Sequence, residues 1–330
     1  LTSSDPNSLG QNRMTDTARA IVFDEPLKLS VNALAVKPFE ATDVQVQVTH
    51  SGISTGTERL LWEGTMPPFP GLGYPLVPGY ETVGVVTQVG DSDSVAVGDL
   101  VFVPGSYTFE GVKNIFGGAG ERLIVPHSRV VKVLPSLGPK AVLLALAATC
   151  YHAIALGGLR QPMTLPELII GHGVMGRLLA RLTLALGSAA PTVWETQTAR
   201  HPGAQGYAVV LPDDDARKDY QRIYDVSGDS QLLNHLIMRL APGGEVVLAG
   251  FYKEDIRFAF APAFMREAQI RVAAQWKPHD LQAVTALVTS GRLSLDGLIT
   301  HTYTPAQAAQ AYQVAFSDPL CLKMILDWQT

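Results

Sequence analysis

Pro166-Glu-Leu-Ile-Ile-Gly-His-Gly-Val-Met-Gly-Arg-Leu-Leu-Ala-Arg-Leu182 runs from a short apolar block through three glycines into an amphipathic stretch. Leu168, Ile169 and Ile170 suit a core strand. Leu178, Leu179, Leu182, Ala185 and Leu186 recur at helical spacing and leave Arg177 and Arg181 on another face. Strand, Gly-x-Gly-x-x-Gly turn and helix together make a dinucleotide fingerprint. Gly171 permits the tight turn, Gly173 lets backbone N–H groups approach a pyrophosphate at the helix N-terminus, and Gly176 lets helix and strand pack closely. His172, Val174 and Met175 complete the predicted cradle.

A glycine match alone is a weak signal, but roughly 20 residues further on Thr192-Val-Trp-Glu195 reads as a second strand ending in a carboxylate. Glu195 would accept hydrogen bonds from both hydroxyls of an NAD ribose and repel a 2′-phosphate, which favours NAD. Arg200 and His201 keep NADP open. The plainer alternatives are a strand–turn–helix that binds no nucleotide, or Glu195 as a solvated acid at a strand end.

The 330 residues have room for two domains, and 47% hydrophobic with 17% charged residues describes a buried globular enzyme. A net charge of −5, with no basic run or zinc-finger spacing, argues against nucleic acid. Cys150 and Cys321 cannot make a disulfide scaffold, and as buried thiols they fit a reducing, cytoplasmic setting. Residues 1–13 are polar, lack a signal-peptide core and read as a tail appended ahead of Met14. The uncharged run Ala141–Leu159 approaches the length of a membrane span. It holds Thr149, His152, Gly157 and Gly158 and reads better as a buried interdomain helix, leaving no transmembrane segment.

From about 18 to 140 the pattern is short strands punctuated by Gly and Pro: Arg19–Phe23, Asp43–Val48, Glu81–Val86, Leu100–Val103 and Arg129–Val133. Asp43–Thr49 alternates Val with polar residues and should have one wet face, whereas 81–86 looks buried on both. Strands near 167–171, 191–195, 207–211, 223–226, 245–250 and 269–274 then alternate with helices, which implies a doubly wound parallel sheet. Strand character resumes near 298–303 and 323–328. The expected division is 14–140 mostly β, 141–290 dinucleotide-binding, and 291–330 returning to the β domain.

Several ordered blocks now carry a resemblance. Ser51-Gly-Ile-Ser-Thr-Gly-Thr-Glu58, Pro78-Gly-Tyr-Glu-Thr-Val-Gly-Val-Val86, Val97-Gly-Asp-Leu-Val101, Ala148-Thr-Cys-Tyr-His-Ala153, the glycine turn, Asp225-Val-Ser-Gly228, Pro242–Gly250 and Gly297–His301 resemble the medium-chain dehydrogenase/reductase superfamily in its order. This implies an α/β chain with a GroES-like catalytic domain, a Rossmann domain inserted late in it, and an active site between them. Ser54–Trp62, Met66–Pro75 and Phe264-Met-Arg-Glu267 further resemble the branch acting in bacteriochlorophyll synthesis. That branch implies NAD-linked oxidation of a bacteriochlorophyllide hydroxyethyl group to acetyl, a late step in making a photosynthetic pigment.

Alcohol dehydrogenases of the superfamily usually hold zinc through a Cys, a His and a later Cys or acid. Here Ser54 stands for the first Cys, Tyr80 for the His, and Ala145–Ala148 offer only apolar side chains. Hydroxyls are poor zinc ligands beside thiolate and imidazole, so no metal is expected. A protein base must then take the alcohol proton. Tyr80, with a pKa lowered by cofactor charge, is the first candidate. His152 and Ser54 with Thr55 or Thr57 form the alternative relay, oriented by Glu58 or Glu81. A core tyrosine and a satisfied core histidine are the plainer readings.

By the resemblance, Thr149 and the Gly250-Phe251 turn shape the nicotinamide site, and Asp225 to Gly228, with Ser227, line the adenosine side. The aromatic, Pro-rich loop offers Trp62, Met66, Phe69 and Tyr74 as contacts for a flat macrocycle, or simply as filling for a rigid loop. Arg59, Arg257 or Lys277 could meet a propionate. Pairing into a homodimer through the strand near 269–274 follows by analogy, as does a place at the photosynthetic membrane surface. The competing readings are a zinc-independent quinone or enone reductase that prefers NADPH, and a nucleotide-binding protein without catalysis.

Overall fold

The computed structural model describes residues 16–155 and 163–330. The appended-tail reading of 1–13 and the Gly157-Gly158 end of the apolar run lie outside them. Nine strands come first: β1 Thr17–Glu25, β2 Lys28–Ala35, β3 Asp43–Ile53, β4 Leu76–Val77, β5 Thr82–Val89, β6 Leu100–Val103, β7 Lys113–Asn114, β8 Arg122–Pro126 and β9 Val131–Lys132. Helix α1 (Thr57–Glu63) sits between β3 and β4, and α2 (Leu144–Ala155) follows β9. On β3 the predicted alternation holds, with Val44, Val46 and Val48 buried and Gln47 exposed.

The second unit contains β10 Leu168–Ile170, α3 Val174–Ala185, β11 Thr192–Trp194, β12 Ala208–Val210, β13 Tyr220–Asp225, α4 Leu233–Ile237, β14 Leu240–Leu248, α5 Phe260–Met265, β15 Gln269–Val272 and α6 Pro278–Thr289. Its six strands are ordered β12-β11-β10-β13-β14-β15, and every pairing is parallel. The order reverses beside β10, and in a doubly wound sheet that reversal opens a crevice at the strands' C-terminal ends. The glycine turn leaves β10 at that point.

The chain then returns through β16 His301–Tyr303, α7 Ala308–Ser317 and β17 Met324–Asp327. β17 pairs antiparallel with β3, setting Met324 opposite Ile53. The closing strand therefore lies against the segment that leads into α1. One core binds the two units. Val83, Phe102 and Ile325 of the β sheet share a cluster with α2, α3 and Ile169, Val193, Tyr224 and Val247 of the parallel sheet. Leu168, Ile170, Trp194, Ile223 and Leu248 point to the opposite face, into a separate cluster with α4. Both sheet faces are covered, as a parallel sheet requires.

The helical stretch Pro135–Ala155 is long and apolar enough to cross a membrane, yet 67% of its most apolar window is buried inside the protein. It serves here as the packing element between the units. The sequence pattern set Arg177 and Arg181 apart from the apolar stripe of α3, but neither is solvated: both are buried. Arg177 donates to the carbonyls of His172, Arg200 and Pro202, and Arg181 to those of Ser294 and Asp296. Backbone oxygens accept from Arg177 Nε and Nη2 and from Arg181 Nη1, which offsets part of the cost of burying these guanidinium groups.

Candidate active site

A cleft of about 960 Å³ opens at the end of β10, where strand order reverses. Of the predicted cofactor residues, Gly171, Gly173, Val174, Met175, Gly176, Glu195, Arg200, Ser227, Gly228, Gly250 and Phe251 line it, and Thr55 lines it from the α1 side. The glycines are there for separate physical reasons. Gly171 has φ +100°, a conformation that L side chains rarely adopt, and a Cβ at Gly176 would lie 1.8 Å from the Gly171 carbonyl oxygen. Gly173 caps α3 and has open space where a Cβ would go, so a side chain there would enter the cleft.

Glu195 is buried and fastened to this turn. Its carboxylate accepts from the His172 N–H at 3.0 Å and from the Gln197 N–H at 2.8 Å. His172 itself does not line the cleft. Its Nδ1–H donates to Arg200 O at 2.7 Å and its Nε2 accepts from the Tyr207 hydroxyl at 2.9 Å. Burial pushes its pKa down to about 4, so a neutral ring clamps the glycine turn to the 200–207 segment. At the end of β13 the Asp225 carboxylate accepts from the Ser227 N–H and hydroxyl at 2.9 and 2.6 Å, which shapes the loop that presents Ser227 and Gly228.

The proposed proton-handling residues gather beside Thr55. The Tyr80 hydroxyl donates to Ser54 Oγ at 2.7 Å, and the Thr57 hydroxyl is also close enough to favour the phenolate form. Burial, then the Glu81 carboxylate, pushes the phenol pKa well above the usual tyrosine value, so the expected lowering rests on cofactor charge alone. Tyr80 is thus a neutral phenol.

Glu81 faces neither Tyr80 nor Ser54 as a hydrogen-bond partner. Its Oε2 accepts from Lys323 Nζ at 2.7 Å, and Lys323 also donates to Ile53 O at 3.1 Å. Sequence reading missed this lysine, because nothing near residue 323 signals that β17 will lay it, fully buried, against β3. His152 is also elsewhere: its Nδ1 donates to Asp280 Oδ2 at 2.8 Å, tying α2 to the start of α6. The Thr149 hydroxyl donates back to Ala145 O within α2. Neither residue lines the cleft.

The aromatic loop is built mostly into the β core. Trp62 meets Phe23 and Tyr312 at ring separations of 5.5 and 6.4 Å. Met66 and Tyr74 pack on the same core, and the Tyr74 hydroxyl donates to Leu61 O. Phe69 alone of the four is exposed. None of them lines the cleft. Of the three candidate cations, Arg59 lines it while Arg257 and Lys277 do not. A further lining residue is Lys253, whose ion pair with Glu63 joins α1 to the loop after β14.

Residues 40–136 match the alcohol dehydrogenase GroES-like domain. The chain is 52% identical over 315 residues to 2-desacetyl-2-hydroxyethyl bacteriochlorophyllide A dehydrogenase of Cereibacter sphaeroides, covering 94% of this chain and 98% of that protein. The chain belongs to that family. The fold of a GroES-like domain plus a Rossmann domain is shared with an NADH complex of an alcohol dehydrogenase from Escherichia coli (TM-score 0.78, 20% identity, 94% and 99% of the two chains). It is shared equally with an NADP complex of a zinc-binding dehydrogenase from Sinorhizobium meliloti (TM-score 0.78, 19% identity, 94% and 99%). The family's members are dehydrogenases by name, and both structural neighbours carry a nicotinamide cofactor.

Zinc is the ion the wider fold leads one to test. The residues at hand do not fit it: Ser54 and Tyr80 bring hydroxyls and Ala145 brings a methyl. Among the described residues no group of three His, Cys, Asp or Glu side chains is placed to hold a metal.

Proposed function

We propose that this chain oxidises the 1-hydroxyethyl side chain of a bacteriochlorophyllide to acetyl, using NAD and no zinc, in bacteriochlorophyll synthesis. The observation that carries the reading is the Tyr80–Ser54 hydroxyl pair, one residue from the wall of a dinucleotide cleft, in a chain 52% identical to a dehydrogenase named for that substrate. NAD is favoured over NADP because Glu195 brings a carboxylate to the cleft wall, where a 2′-phosphate would be repelled.

The bound nicotinamide supplies the hydride acceptor. The chain's own residues handle the proton. Because Tyr80 donates its hydrogen to Ser54 and the Thr57 hydroxyl approaches one side of its oxygen, a remaining lone pair can accept from the substrate hydroxyl. As the alcohol proton moves to Tyr80 Oη, the phenol proton passes to Ser54 Oγ, and Ser54 releases its own hydroxyl proton by way of Thr57 or the cleft-lining Thr55 to solvent water in the cleft. The phenol stays neutral throughout, which suits a group whose pKa is raised by burial. Help of this kind is worth about 10²–10⁴-fold in rate.

Phe69 is the loop residue offered to the macrocycle, while Trp62, Met66 and Tyr74 hold the loop in shape. Arg59 is the carboxylate partner of choice, since it lines the cleft. The proposed division into 14–140, 141–290 and 291–330 is supported by the six-stranded parallel sheet falling within the middle segment and by β16 and β17 joining the sheet of β3. A homodimer through β15 is favoured by its place at the sheet edge, where Ile270 and Val272 are exposed beside Phe260, Phe264 and Met265 of α5.

The test mixes protein, a 3-(1-hydroxyethyl) bacteriochlorophyllide and NAD or NADP, and follows the red absorption band with and without a chelator. A shift with NAD that survives chelation is expected. Loss on chelation overturns the zinc-free reading. No shift with either cofactor overturns the dehydrogenase and leaves the reductase or the non-catalytic binder.

A further inference from the structure

Directly behind Ser54, on the first turn of α1, Glu58 is buried with 0% exposure. Its Oε1 accepts from the Ser54 N–H at 3.2 Å and its Oε2 meets the Tyr312 hydroxyl of α7 at 2.7 Å. Other charged or titratable groups facing it are Glu81 at the start of β5, Lys323 at the approach to β17, and Tyr80. The cluster thus holds two buried carboxyls and one buried cation, and the cation is already committed: Lys323 pairs with Glu81. Glu58 has no salt bridge among the described residues. Burial lifts its pKa to about 8, with Glu81 adding to the rise, so it is predominantly a neutral acid at pH 7.

A buried acid without a counter-ion is costly, and an apolar side chain would fill the same space more cheaply. What a leucine could not do is bridge the Tyr312 hydroxyl and the Ser54 N–H. We propose that Glu58 is a positioning residue for the oxidation: by clamping the Ser54 main chain to α7 it fixes the Ser54 hydroxyl, and through it the Tyr80 phenol. This inference rests on the Tyr80–Ser54 reading above. It makes α7, from the C-terminal segment, part of the machinery that orients the proton path.

The test compares kcat, the KM for NAD and the melting temperature in Glu58→Leu, Glu58→Gln, Tyr312→Phe and Tyr80→Phe. Misplacement of a reacting group by about an ångström costs up to about 100-fold. Glu58→Leu is therefore expected to lower kcat about 10- to 100-fold with little change in the KM for NAD. Glu58→Gln, which can accept from Ser54 and donate to Tyr312, should restore kcat to within about threefold of the parent. Tyr312→Phe should fall between them, and it keeps the inference testable should Glu58→Leu not fold.

Parental kcat in Glu58→Leu, or in Tyr312→Phe, overturns the proposal. So does a Gln variant as impaired as the Leu variant, since an anionic carboxylate would then be what matters. Loss of kcat and NAD affinity in equal measure overturns it as well, marking a general structural role. Tyr80→Phe separates the two readings. At the parental rate it sinks the Tyr80 base itself, whereas an inactive Tyr80→Phe beside an unimpaired Glu58→Leu sinks only the positioning role.

Discussion

The cofactor wall of the cleft and the buried polar cluster behind Thr55 are made by different means. The cofactor wall is mostly backbone: a strand end, a glycine turn and a helix N-terminus within one continuous stretch, with Glu195 fastened to it by main-chain N–H groups. The cluster behind Thr55, proposed to handle the proton, is mostly side chain. Ser54, Glu58, Tyr80, Glu81, Tyr312 and Lys323 come from three distant parts of the chain: the pairing of β5 with β3 brings Tyr80 to Ser54, and the return of α7 and β17 to β3 brings Tyr312 and Lys323. Backbone sites depend on a few residues lacking side chains. Networks of buried polar groups depend on every member being present, since an unmatched one costs about 1–3 kcal/mol.

The sharpest way to break this contrast is Tyr80→Phe, which removes one hydroxyl and leaves the cofactor wall untouched. A loss of about 10²–10⁴-fold in kcat with unchanged NAD affinity is expected, and a matching loss of NAD affinity would show that the two regions are not separable. In the cofactor wall, Gly176→Val should weaken NAD binding by about 100-fold or more, equal to about 2.7 kcal/mol. Its Cβ would meet the Gly171 carbonyl at 1.8 Å. Calorimetric NAD titration checks it, and parental affinity would mean that the turn relaxes freely.

Smaller still is Glu195→Ala. Losing a carboxylate proposed to accept from ribose hydroxyls should raise the Kd for NAD about 10-fold and narrow the gap to NADP. An unchanged NAD/NADP ratio would make Glu195 a structural acid only. The smallest effect is on stability. His172 is neutral in the fold, its pKa held near 4 against an ordinary 6.5. Between those values the unfolded chain binds a proton that the folded chain refuses. Its contribution is therefore full above pH 6.5 and lost as pH falls toward 4. Replacing it with Gln should flatten the acid side of the melting curve, by about 2–4 °C for each kcal/mol recovered. An identical acid profile would show that the ring does not govern the turn.

Legibility followed the same divide. The cradle, the six parallel strands and the alternation on β3 could be read in the chain because each depends on local periodicity or on neighbouring residues. The roles of His152 and Glu81 could not. A histidine in an apolar helix looks the same whether it faces a cleft or, as here, Asp280, 128 positions away. Trp62 and Tyr74 likewise looked like a ligand surface, since aromatic composition does not say which side of a loop faces the core.

The sequence by itself determined the nucleotide wall, the class of fold and, through its ordered motifs, the family. The tertiary structure decided which hydroxyls and carboxyls cluster behind Thr55, that Lys323 pairs with Glu81 and that Glu58 has no salt bridge among the described residues. The reason is range: glycine conformation and strand periodicity act over a few residues, whereas burial and polar pairing are set by residues far apart in the chain, Glu58 and Tyr312 by 254 positions.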